Sequence, residues 1–371
     1  MRKTKVGILG LRGIPRVQGG IETHCEHLYP FMTGKGYDFL LFARANYVGE
    51  KPYTFKGIEV RPLKCSERMG FEAFLHTLVG VFHAKAAGVE ILHIHAIGPA
   101  IMAPLARLLG MKVVVTHHGP DYDRAKWGPF AKFVLRVGEK LGVRFANELI
   151  VISQTIGSIV QGKHGRENYH LIFNGVQPPQ KASTDEIEQT LKDYGLRYKS
   201  YVLTVGRLVP EKGFHTLVDA FAGQKEFPPL VIAGSASPET SYSRCLKEQT
   251  SESGALMTGF VTGDTLRHLY QGAELFVLPS SHEGLPIALL EAMSHGCKVL
   301  VSDIPANLDV DLPPDHYFSV GDIESLRSAI RTSLQTESNG DFSELVSVRY
   351  DWKIIAAQTL KVYDKISGAT R

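Results

Sequence analysis

The chain has 371 residues, of which 44% are hydrophobic and 21% charged, and its net charge is +3. That composition belongs to a globular protein long enough for two cores, and it excludes a disordered or fibrous chain. No apolar run reaches the roughly 18 residues of a membrane helix, and the nearest, Ile97–Leu109, is interrupted by Pro99, Pro104 and Arg107.

The start, Met1-Arg2-Lys3-Thr4-Lys5, is positive, but the apolar run behind it, Val6–Leu11, is too short for a signal-peptide core and reads as a first buried strand. Cys25, Cys65, Cys245 and Cys297 show neither C-x-x-C pairing nor metal-ligand spacing, so a reduced, cytoplasmic setting is expected. The small net charge hides a split: residues 1–175 hold ten more Lys and Arg than Asp and Glu, and the remainder seven fewer. A basic half can serve an anionic partner such as a membrane surface, a lipid phosphate or nucleic acid, or be a solvated Lys-rich face.

Short β-branched or apolar runs alternate with longer helical patterns, which predicts strand–helix–strand units and parallel sheets. Candidate strands are Lys5–Leu9, Phe39–Ala43, Ile91–His95, Lys112–His117, Glu148–Ile152 and Leu171–Phe173, the last closed by Asn174-Gly175. A polar helix is predicted from Thr184 to Tyr194, and a second series follows at Tyr201–Val205, Leu230–Ala233, Ala255–Thr258, Leu275–Leu278 and Lys298–Ser302. Two such series imply an α/β chain of two Rossmann-like domains, residues 1–176 and 177–351. Domains of this kind bind ligands beyond the carboxyl ends of their strands, so facing domains would place a reaction in the cleft between them. The segment Trp352–Ile366 is moderately amphipathic, with apolar residues at Trp352, Ile355, Ala356, Leu360, Val362 and Tyr363.

Two motifs carry chemistry. The first is Ser280-Ser281-His282-Glu283-Gly284-Leu285-Pro286-Ile287, continuing to Glu291, behind the strand Leu275–Leu278. Pro286 suits a first helical position, because its missing N–H costs nothing there. The free N–H groups near Ile287 and Ala288, with the helix dipole behind them, can then bind phosphate. Glu283 precedes this helix and Glu291 lies in its second turn. Taken alone, two glutamates are better explained by a helix-start acid and an ordinary surface acid. The second motif, Gly206-Arg207-Leu208-Val209-Pro210-Glu211-Lys212-Gly213, follows Tyr201–Val205 and leads into a helix. Its glycines permit close approach, and Arg207 and Lys212 offer a fork and a point charge to a diphosphate.

GRLVPEKGF at 206–214 with EGLPIALLEAM at 283–293, in this order and spacing, resembles retaining glycosyltransferase family 4, of the GT-B fold. The resemblance extends over nearly the whole chain. Ile8–Pro15 followed by Gly19-Gly20-Ile21-Glu22-Thr23 is similar to the N-terminal region of bacterial rhamnosyl- and hexosyltransferases of polysaccharide biosynthesis. Val114–Gly119, Arg124–Gly128 and Phe173–Val176 fit the same group. The segment at 352–371 resembles the helix that returns to the N-terminal domain.

The resemblance implies roles. Gly19 and Gly20 would form a loop over the phosphates or acceptor, Arg207 and Lys212 would hold the diphosphate, Glu291 the ribose, and Glu283 the donor sugar. His118 would border the reacting carbon with its main-chain carbonyl. Phe260 and Val261 would read the base, Gly234 would admit the nucleotide, and Gly284, Leu285 and Ile287 would bind the donor. Glu-Gly-Leu-Pro stands here where Glu-Gly-Phe-Gly-Leu-Pro is the other common form. A retaining reaction of this type needs no protein nucleophile, and no cofactor or metal is expected. The expected partners are a nucleotide-diphosphate sugar and a glycan or lipid-linked acceptor, without nucleic acid.

Other signals are weaker. Asp121-Tyr122-Asp123 and Asp309-Val310-Asp311 are Asp-x-Asp pairs of a kind that arises by chance. His93 and His95 share one face of a strand and read as core or cleft-edge histidines, because zinc would need a third partner. His24 and His27 suit an acceptor contact or a solvated face equally. Phe71–Phe82 is a greasy helix preceded by Arg61, Lys64 and Arg68; a core helix is favoured, with a peripheral membrane patch at the inner face as the alternative. A Rossmann dehydrogenase is disfavoured because Gly10-Leu11-Arg12-Gly13 is not G-x-G-x-x-G and Phe42-Ala43-Arg44 ends strand two without an acid. A GT-B-fold sugar-nucleotide epimerase would share the domain plan but lack the paired cations and glutamates. A nucleic-acid binder lacks an Arg/aromatic groove pattern.

Overall fold

The computed structural model describes residues 3–64, 72–124, 127–178, 180–236, 238–336 and 341–368. Cys65, Arg68, Phe71 and the Ala125-Lys126 step of the Arg124–Gly128 motif lie outside them. The chain folds into two compact α/β units, Met1–Gly175 with Trp352–Arg371, and Val176–Asp351.

In the first unit the strands are β1 (Thr4–Leu9), β2 (Tyr37–Arg44), β3 (Tyr53–Phe55), β4 (Ile58–Leu63), β5 (Ile91–His95), β6 (Lys112–His117), β7 (Glu148–Val151) and β8 (His170–Leu171). They form one sheet in the order β3-β4-β2-β1-β5-β6-β7-β8. All neighbours are parallel except β3 and β4. The order reverses between β1 and β5, so the loop after Leu9 and the end of β5 at His95 flank a topological switch point. The β3–β4 hairpin is not foreseen from sequence. It turns at Lys56-Gly57, both with positive φ, and Pro62 in β4 argues against a strand. Pro62 is tolerated because it lies past Val60, the last β4 residue paired with β3 on that side.

The second unit holds β9 (Val202–Val205), β10 (Leu230–Ala233), β11 (Leu256–Gly259), β12 (Leu275–Leu278), β13 (Lys298–Ser302) and β14 (Tyr317–Phe318), in the parallel order β11-β10-β9-β12-β13-β14. Its switch point lies between β9 and β12, the two strands that lead into the chemistry-bearing motifs. The central strands read as unbroken apolar runs because helices cover both faces of a parallel sheet. Leu275 to Leu278, for example, are all fully buried.

The helix Trp352–Ser367 belongs to the first unit, where Trp352, Ile355, Ala356, Val362 and Tyr363 join the core built on β1, β2 and the helix Gly20–Leu28. Tyr37 donates its hydroxyl hydrogen to Asp364 Oδ1 at 2.6 Å, and Lys365 pairs with Glu148 at 3.0 Å. A Cβ at Gly175 would lie 2.5 Å from the Trp352 ring, so only glycine admits the indole there. The segment Glu72–Ala86 departs from the core-helix reading. His76, Thr77, Gly80, Val81 and Ala84 are buried, whereas Phe74, Leu75, Val79 and Phe82 face solvent. A small-residue face lets this helix lie close to the sheet, as at Gly80 against Leu9, and that leaves the bulky face outward.

Trp352 is 1% exposed. Trp352→Ala should cost about 3–5 kcal/mol of stability, seen as a lower urea midpoint; a loss under about 1 kcal/mol would show that the helix is not anchored by the indole.

Candidate active site

In the second unit the loop after β9 and the loop after β12 are stitched together. Ser281 N–H donates to the Glu211 carbonyl at 2.9 Å. Gly213, with φ 66°, sits where any Cβ would meet the Pro279 carbonyl at 2.1 Å. Lys212 Nζ reaches Glu283 Oε1 at 2.5 Å, and the Ser280 hydroxyl donates to the same oxygen at 2.6 Å. Lys212 and Glu283 are therefore brought together, with side chains 17% and 11% exposed. Arg207 opens the same loop, directly after Gly206 at the end of β9. Gly234 is required here too, since a Cβ would fall 1.7 Å from the Gly206 carbonyl oxygen.

The helix beyond Glu283 starts one residue later than the sequence reading places it. Pro286 is extended (ψ 107°) and caps the helix Ile287–Ser294 from outside. No side chain caps this end; Leu289 and Leu290 N–H return to the Pro286 carbonyl, so the N–H groups of Ile287 and Ala288 head the helix. Leu285 is buried at 4% exposure and sets the chain's entry into the helix. Glu291 lies in the second turn. Burial pushes its pKa up to about 7, only partly offset by the Tyr270 hydroxyl, which donates to Oε2 at 3.0 Å. Phe260 and Val261 follow β11, where Phe260 is 45% exposed; Gly234 N–H donates to the Gly259 carbonyl at 2.8 Å, tying the β10 and β11 loops.

In the first unit, Gly19 and Gly20 head the helix Gly20–Leu28. A Cβ on Gly19 would strike the Glu22 carboxylate at 1.9 Å, and Glu22 in turn accepts Arg12 N–H at 3.0 Å, holding the loop after β1. His118 follows β6. Its backbone turn is closed by Gly119 N–H donating to His117 Nδ1 at 3.1 Å, so His117 carries its proton on Nε2 and donates to Glu139 Oε1 at 2.9 Å. Burial would raise the Glu139 pKa, but hydrogen bonds from His117, His164 and Tyr122 outweigh it and hold it at about 2. His24 is buried rather than on a solvated face, and His27 stacks on Trp352. The Asp121 carboxylate is paired with Arg124 at 3.0 Å.

Comparison with known proteins agrees with this architecture. Residues 19–175 match the model of the glycosyl transferase 4-like domain, and residues 179–338 that of glycosyl transferases group 1. The chain belongs to the GT-B glycosyltransferases. An uncharacterized glycosyltransferase of Methanocaldococcus jannaschii is 24% identical over 80% of each chain. The Campylobacter jejuni N,N'-diacetylbacillosaminyl-diphospho-undecaprenol alpha-1,3-N-acetylgalactosaminyltransferase is 24% identical over 63% of this chain and 65% of its own. The solved Anabaena HepE structure with UDP-glucose superposes with a TM-score of 0.81 at 19% identity, covering 97% of this chain and 99% of that one.

Two residues of this glycosyltransferase's candidate site, Tyr270 and Glu139, escape sequence reasoning, whereas Ser280 stands within the motif three residues before Glu283. Tyr270 and Glu139 sit inside amphipathic helices, where nothing in the pattern sets them apart from ordinary half-buried residues.

Because Glu291 titrates higher in the folded chain than in the unfolded one, the folded state keeps an extra proton between about pH 4.5 and 7. Stability therefore falls as pH rises through that window. Glu291→Gln should remove the slope, gaining on the parent between pH 5 and pH 8 in urea midpoints; a difference that does not change with pH would show that Glu291 ionises normally.

Proposed function

We propose that this glycosyltransferase takes a hexosyl or rhamnosyl group from a nucleoside diphosphate and passes it, with retention, to a glycan or lipid-linked acceptor of cell-surface polysaccharide synthesis. The observation that carries the reading is the Lys212–Glu283 pair at the β9/β12 switch point, beside the uncapped start of the helix Ile287–Ser294. A half-buried ammonium held by a carboxylate is a preformed diphosphate site, because an incoming phosphate offers Lys212 more negative charge than Glu283 does. Glu283 is then released to the sugar hydroxyls. Arg207 adds a second cation, the Ile287 and Ala288 N–H groups a third set of donors, and ionised Glu291 accepts the ribose hydroxyls. Phe260, Val261 and Gly234 serve the base, and Gly284 and Leu285 shape the turn. Gly19, Gly20 and His118 are assigned to the acceptor and the reacting sugar.

In the step itself the bond from the anomeric carbon to the phosphate oxygen breaks and a bond to the acceptor oxygen forms on the same face. The acceptor's proton passes to the departing phosphate oxygen. No protein nucleophile enters, and fixed cations stabilise the leaving charge without a bound metal, at roughly 3–4 kcal/mol per well-aimed donor. The lipid-linked acceptor is supported by the Campylobacter relative, whose name carries a diphospho-undecaprenol sugar, and the sugar nucleotide by the UDP-glucose in the HepE structure.

A membrane contact is part of the same reading. Phe74, Leu75, Val79 and Phe82 on one helix and Phe130 and Phe133 on the helix Pro129–Phe145 are exposed. Both helices pack on the short helix Pro99–Met102, and the excess of ten basic residues lies in this part of the chain. Apolar side chains that insert beside basic residues suit an anionic lipid surface.

Lys212→Ala and Arg207→Ala should each lower kcat/KM by about 10²–10³-fold with stability within about 1 kcal/mol of the parent, measured with sugar nucleotides that raise the melting temperature. Equal losses of turnover and stability would count against a diphosphate clamp, and conversion of the donor without any acceptor would count against transfer. In cosedimentation with phosphatidylglycerol vesicles, Phe82→Ser with Phe133→Ser should reduce the bound fraction several-fold; unchanged binding would remove the patch from the membrane.

A further inference from the structure

His93 and His95 alternate on β5, and as a pair they lack the third ligand that zinc needs. The fold supplies other partners for one of them only. His93 is spent inside the core: its Nδ1 meets the Tyr363 hydroxyl at 2.7 Å and the Tyr29 hydroxyl at 3.0 Å, and its Nε2 meets Thr116 Oγ1 at 2.7 Å. His95 points to the end of the strand, where His24 from the first helix and His118 from the end of β6 converge on it. One ring nitrogen from each of His24, His95 and His118 lies within 4.8 Å of the other two. His95 Nδ1 and His118 Nε2 are 3.0 Å apart.

We propose that His24, His95 and His118 form a binding site for a single zinc-class divalent cation, with a fourth position open to water. With Zn–N near 2.0–2.1 Å, tetrahedral ligands stand about 3.3 Å apart, so side-chain shifts of about 1 Å close the triangle. The outer hydrogen bonds set the tautomers that ligation requires. The Asn174 side-chain oxygen, 3.0 Å from His24 Nδ1, can only accept, so the His24 proton is on Nδ1 and the lone pair is on Nε2. The Tyr29 hydroxyl stands 2.7 Å from His95 Nε2 and can accept a proton from it, which leaves the His95 lone pair on Nδ1 toward His118. Such oriented second partners are the usual companions of metal-bound histidine. Three imidazoles without a carboxylate select zinc, cobalt(II) or nickel over magnesium or calcium. The Trp352 ring, 5.3 Å from His24 between centroids, lends the site an apolar wall.

The site shares His118 with the proposed sugar contact, but it uses the imidazole rather than the main-chain carbonyl, and it uses none of Arg207, Lys212 or the two glutamates. The test uses the untagged full chain, stripped with a chelator and titrated with cobalt(II). One equivalent per chain should bind and give the visible absorption of a four- or five-coordinate nitrogen site, and zinc should displace it. His24→Gln should abolish that absorption while far-ultraviolet circular dichroism stays native. Tyr29→Phe, which keeps the ring and removes only the partner of His95, should weaken binding about 10- to 100-fold. Absence of saturable 1:1 binding in the parent, or binding unchanged in either folded variant, overturns the site.

Discussion

The second unit depends on the contact between the loop that leaves β9 and the loop that leaves β12. These strands are neighbours at the point where the sheet order reverses, and there the loops leaving their carboxyl ends border a crevice. Gly213 against the Pro279 carbonyl allows the approach, the Ser281–Glu211 bond sets its register, and Lys212 with Glu283 puts opposite charges where they meet. A half-buried ion pair is a poor source of stability, because desolvation offsets the attraction. Its value is that each partner pre-orients the other.

The first unit repeats the topological device with different chemistry. The ends of β5 and β6, with the first helix, gather histidines instead of paired charges. Glu22 secures the loop after β1 through the Arg12 N–H, and the buried Glu139–His117 pair closes the turn that presents His118. Behind His95 a run of hydroxyls and imidazoles, Tyr29, His93, Tyr363 and Thr116, satisfies polar groups that would otherwise be costly in an apolar core. Tyr363 comes from the last helix of the chain, so this polar core is complete only when the two ends of the sequence have met.

Sequence alone determined the α/β class, most central strands to within a residue, the two loops with their cations and acids, and the apolar seam of the last helix. These are local properties: buried parallel strands need unbroken apolar runs, and phosphate-type loops need glycine and charge at short range. Tertiary structure alone decided the rest. The β3–β4 hairpin was hidden by Pro62, whose missing N–H is harmless only at that register. The outward aromatic face of Glu72–Ala86 depends on a small-residue side that matters only against the sheet. The separation of His93 from His95, and the joining of His95 to residues 71 positions before it and 23 after it, follow from which strands lie adjacent. Pairings of that length depend on sheet order, which no short window of sequence encodes.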